Sequence, residues 1–99
     1  MYEMTFNEAF ELIKELIVGI HFDKENSGFD KGDLNGLPTI AIRYKSITFV
    51  SVEGTKDVLP SMYVFRGLKV YETKADSEEF VRIMSFFSDV IRSAGVVIQ

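Results

Sequence analysis

A two-layer α+β sandwich is the fold class predicted by this 99-residue sequence, and three observations predict it. Apolar residues recur with a helical period near each end, the period shortens to two in the middle, and Gly, Asn and Asp clusters part the alternating runs. Two amphipathic helices each need an apolar surface to cover. One face of an antiparallel meander of three or four strands supplies it for both. The expected order is α-β-β-β(-β)-α, in a single domain spanning 1–99.

The first helix opens at Thr5-Phe6-Asn7-Glu8, a capping box in which the Thr5 hydroxyl accepts from the Glu8 amide and the Glu8 carboxylate reaches back. Phe6, Ala9, Phe10, Ile13, Leu16, Ile17 and Ile20 then share one face. Gly19 is the expected stop. On the opposite side Glu8, Glu11 and Glu15 line up as an acidic ridge, which reads either as a solvated face or as a surface for a basic partner.

Residues 22–36, FDKENSGFDKGDLNG, hold six Asp, Glu or Asn side chains and three glycines, so a calcium loop has to be tested. An EF-hand needs oxygen ligands at its first, third, fifth and twelfth positions. Counting from Asp23, the closing position falls on Leu34; counting from Lys31, the first ligand is a cation and the last position is Ile42. Neither frame closes. The stretch reads as a solvated connection, with Ser27-Gly28 and Asn35-Gly36 suited to tight turns and a short hairpin as one outcome.

Period-two patterning follows. Ile40, Ile42 and Tyr44 alternate with Thr39, Ala41 and Arg43, and Ile47 to Val52 is rich in β-branched and aromatic residues. Lys45-Ser46 marks either a tight hairpin or a bulge, and Arg66-Gly67, between Met62–Phe65 and Leu68–Tyr71, poses the same choice. Glu53–Asp57 reads as a turn. The second helix is capped by Asp76-Ser77 with Glu78 and Glu79 in its first turn. Phe80, Ile83, Met84, Phe87, Val90, Ile91 and Ala94 form its apolar face, and Gly95 ends it. Phe86 lies off that stripe, at the edge of the core or on a partner surface. Val96-Val97-Ile98 is read as a short terminal strand or docking segment.

With both helices on one sheet face, the other face is open. Arg43, Lys45, Tyr63, Phe65, Lys69 and Tyr71 occupy odd positions in their strands and are expected there. An open face that carries aromatics is a candidate interface with a partner or a second copy. The predicted partner-binding residues are therefore Glu8, Glu11, Glu15, Tyr63, Phe65, Tyr71 and Phe86.

Composition removes several chemistries. There is no Cys, hence no disulfide, thiol nucleophile or thiolate metal site, and His21 is the only His. A His21-Asp23 pair orients an imidazole only if a nucleophile stands nearby, and no G-x-S-x-G elbow, P-loop or G-x-G-x-x-G occurs. A formal net charge of -4 disfavours generic binding to a phosphate backbone. Arg66-Gly67-Leu68-Lys69-Val70-Tyr71 has the basic-Gly start of an RNA-binding strand, but Leu68 stands where a stacking aromatic is required. No apolar run approaches the roughly 20 residues of a membrane span, and no signal peptide opens the chain, so a cytoplasmic protein is expected.

The expected function is that of a small acidic, non-enzymatic interaction module that needs no cofactor or metal and inhibits or regulates a basic, nucleic-acid-handling protein. Immunity proteins, nuclease inhibitors and phage anti-defence proteins share this size and charge, and they serve only as a class expectation. The alternative is a homodimeric enzyme or ligand sensor with its pocket between two copies.

Overall fold

The computed structural model describes residues 1–93, with side chains through Val90. Six strands and two helices follow in the order β1 (Tyr2–Glu3), α1 (Phe6–Phe22), β2 (Ser27–Leu34), β3 (Leu37–Tyr44), β4 (Ile47–Val52), β5 (Ser61–Arg66), β6 (Lys69–Lys74) and α2 (Glu78–Ser93). The sheet order is β1-β6-β5-β4-β3-β2. Strands β2 to β6 form an antiparallel meander, and β1 adds in parallel at the β6 edge. The α+β class holds, but the sheet has six strands rather than three or four. Ile91, Ala94, Gly95 and the 96–98 segment lie outside the described residues or side chains.

The two added strands come from segments with little apolar pattern. Tyr2–Glu3 is held by two backbone bonds, Tyr2 N–H to Leu68 O and Met4 N–H to Val70 O, each 2.8 Å. The acidic 22–36 stretch becomes a single 3₁₀ turn at Lys24–Asn26 followed by the whole of β2. Asn35 and Gly36 both take positive φ, 51° and 89°, the geometry that a two-residue hairpin requires. The Asp33 carboxylate accepts from the Gly36 amide at 3.0 Å. Lys45-Ser46 and Gly67-Leu68 are likewise two-residue turns rather than bulges, pairing Tyr44 with Ile47 and Arg66 with Lys69.

Both helices cover one sheet face. Ala9, Leu12, Ile13, Leu16 and Ile17 of α1 and Ile83 of α2 are buried against Tyr44, Ile47, Phe49, Met62, Val64 and Tyr71. Full burial of each large aliphatic contributes about 1.5–3 kcal/mol. The capping box forms as predicted: Thr5 Oγ1 accepts from the Glu8 amide at 3.2 Å. Gly19 does not end α1, which runs on to Phe22. A Cβ at Gly19 would overlap the Tyr44 ring, so this glycine permits close helix–sheet approach. Asp23 ends the helix instead, its backbone N–H donating to Gly19 O.

Candidate functional site

Cross-strand register assigns every strand residue to a face. Because Tyr44 pairs with Ile47, Val52 with Ser61 and Arg66 with Lys69, parity inverts at each connection. Even residues of β3 and β5 therefore share the helix-covered face with odd residues of β4 and β6. The open face carries Gly28, Asp30, Gly32 and Leu34 of β2; Leu37, Thr39, Ala41 and Arg43 of β3; Thr48, Val50 and Val52 of β4; Ser61, Tyr63 and Phe65 of β5; and Val70, Glu72 and Lys74 of β6.

Arg43, Tyr63 and Phe65 thus lie where alternation places them. Tyr71 and Lys69 do not. The two-residue turn after β5 carries Tyr71 to the covered face, where it is buried beside Phe6 and donates its hydroxyl to Glu79. Lys69 pairs with Glu8 at 3.0 Å on that same side. Lys45 sits in the β3–β4 turn with φ 52°. Phe86 is half-buried, its ring 5.0 Å from that of Phe10, at the edge of the core.

At the centre of the open face the Tyr63 and Phe65 rings stack, with centroids 6.0 Å apart and planes 11° from parallel. Both are half-buried, as are Ala41, Val50 and Val70. A shallow groove of about 450 Å³ runs beside them, lined by Asp33, Leu34, Thr39, Val50, Tyr63 and Phe65. Glu72 stands opposite Tyr63; hydrogen bonding to this carboxylate, then burial, pushes the Tyr63 phenol above its ordinary pKa. Toward β2, Arg43 reaches over Gly28 to Asp30, with Nε to Oδ2 at 3.3 Å. A side chain at position 28 would collide with that guanidinium.

The acidic ridge is largely matched within the chain. Besides the Glu8–Lys69 pair, Glu11 accepts from Lys14 at 3.1 Å, and Glu15 makes no ion pair among the described residues. The Lys69 ammonium holds the Glu8 carboxyl below its usual range. His21 is exposed, its ring edge-on to Phe22, while Asp23 bonds Asn26 and Tyr44 instead. A larger groove beside Met4, Asn7, Leu12 and Arg66 is also bordered by Glu8, Glu11 and Lys69, whose charges are those just paired.

Among the described residues, no three His, Cys, Asp or Glu side chains converge to hold a metal ion. No described helix is long and apolar enough to cross a membrane. The stacked aromatics, the apolar side chains around them and the charges on their flanks make the open face the candidate functional site. The chain matches no protein-family model, no curated protein and no solved structure.

Proposed function

We propose that this protein is an interaction module whose open sheet face docks a partner protein, with Tyr63 and Phe65 as anchors. The observation that carries the reading is the stacked, half-buried aromatic pair at the centre of a sheet face that neither helix covers. Apolar side chains at the centre and charged ones on the flanks are how protein interfaces divide affinity from specificity. The partner is a basic protein: the chain carries a net charge of -4, and Glu72 offers a carboxylate beside Tyr63. Inhibition or regulation of that partner by steric cover is the activity the class implies.

The same aromatics also suit stacking on nucleic-acid bases, but the charges argue for protein. Of the strand cations on this face, Arg43 is engaged by Asp30 and Lys74 stands at the end of β6, while Glu72 beside the aromatic pair repels phosphate.

The test is affinity capture from host lysate with the wild type beside Phe65→Asp and Tyr63→Asp. A partner held by the wild type and weakened ~10-fold or more by either variant supports the reading, since central aromatic anchors typically carry more than 1 kcal/mol each. Retention of the partner at wild-type strength by both variants overturns it.

A further inference from the structure

The sheet has two edges of unequal character. Strand β1, only two residues long, closes one; β2, eight residues long, is the other. Lys45 N–H donates to Asn26 O at 3.0 Å, and in an antiparallel ladder bonded pairs alternate. Even-numbered residues of β2 therefore bond β3, while the backbone N–H and C=O of Ser27, Phe29, Lys31 and Asp33 point away from the sheet. No proline interrupts this edge and the β2–β3 register runs without a bulge, so of the devices that blunt free strands this one carries only charge, in Asp30, Lys31 and Asp33.

We propose that the free edge of β2 pairs antiparallel with β2 of a second copy of this chain, about a two-fold axis at Phe29, joining the two sheets. Side-chain pairing selects the axis. Placing it at Lys31 sets two ammonium groups face to face, and placing it at Asp30 does the same with two carboxylates, both destabilising. An axis at Gly32 matches Lys31 with Asp33 but runs Phe29 against the positive-φ turn residue Asn35, where the ladder stops. An axis at Phe29 sets the two phenyl rings together, pairs Ser27 with Lys31 on each side, and satisfies both outward groups of all three residues.

Apolar area favours the same arrangement. Phe29 is 60 % exposed, and on the same side of the sheet Val18 and Phe22 of α1 are 56 % and 79 % exposed. Val18 and Phe22 are four apart, hence on one helix face, and α1 touches β2. Covering both phenylalanines in each copy removes on the order of 600 Å² from water. With the strand backbones and Val18, the interface reaches the ~1,000 Å² that a specific contact needs. The joined edge leaves both open faces accessible, so this pairing stands apart from partner docking.

Light scattering across a concentration series tests the pairing. The mass is expected to rise from the 11.3 kDa of the chain to twice that, and Phe29→Asp or Lys31→Pro to hold it at the monomer value. Lys31→Pro deletes only an outward N–H and spares the ladder to β3; unchanged circular dichroism and unchanged partner capture show that the fold and the open face survive. Because the chain has no native Cys, register is read from mixed single-cysteine chains. Ser27→Cys crosslinks to Lys31→Cys and neither crosslinks to itself. A monomer at every concentration, or Lys31→Cys crosslinking to itself, overturns the proposal.

Discussion

The hydroxyl of Tyr44 donates to the carboxylate of Asp23 at 3.2 Å, tying the exit of α1 to β3 across the ring that Gly19 admits. Helix exit, sheet packing and the start of β2 meet at this pair. Tyr44→Phe is expected to cost about 0.5–1.5 kcal/mol, the usual net worth of one hydrogen bond. Gly19→Ala gains helix propensity of about 1 kcal/mol but forces the ring aside at a cost of about 1–3 kcal/mol. It should lower stability despite improving the helix, and urea denaturation of both variants checks this.

Acid should unfold the protein partly through Asp23 and Glu8. Hydrogen bonds from Asn26 and then Tyr44 hold the Asp23 carboxyl below its ordinary 3.8, and Lys69 holds Glu8 below 4.5. A depressed folded pKa gives stability that is present above the unfolded value and lost as pH falls through the folded one. Thermal midpoints should therefore decline from about pH 5 downward. Asp23→Asn and Glu8→Gln should each flatten that decline, and a slope unchanged in both would contradict the assignment.

At the alkaline end the sign reverses. Burial, then its bond to Glu79, pushes the Tyr71 phenol from 10.0 up to about 12. The unfolded chain releases this proton first, so the contribution is whole below pH 10 and is lost as pH rises toward 12. Tyrosinate absorbance should lose its latest-titrating phenol in Tyr71→Phe, and that variant should show a gentler alkaline loss of stability.

Gly67 has φ 59° with nothing near the place a Cβ would occupy. Gly67→Ala should therefore cost about 1–2 kcal/mol from backbone conformation alone. Gly67→Asn should cost less, because Asn tolerates the left-handed region. Chemical denaturation of the two variants measures the difference.

Both helices were legible because Thr5-Phe6-Asn7-Glu8 and Ser77-Glu78-Glu79 mark starts and the apolar residues behind them keep a 3.6 period over several turns. Strand β2 was not, because an edge strand held by backbone pairing to β3 needs little apolar alternation; Phe29 and Leu34 are its only large apolar residues. Tyr63 and Phe65 could be placed on the open face by alternation alone. Tyr71 could not, since its face depends on whether the Arg66–Lys69 connection has two residues or a bulge, a choice that Arg-Gly-Leu-Lys leaves undecided. Gly19 failed for a related reason: a helical glycine is read as a stop unless the ring packed against it is known. Pairing of Glu8 with Lys69 joins residues far apart in the chain, and no local pattern announces it.

Whether the open sheet face or the acidic helix ridge meets the partner is decided by site-specific photocrosslinking in host lysate. A benzophenone amino acid is placed at Phe65 in one variant and at Glu15 in another. A discrete covalent adduct with a basic protein is expected from position 65 and none from position 15. An adduct from position 15 alone, or none from either, would contradict docking through the open sheet face.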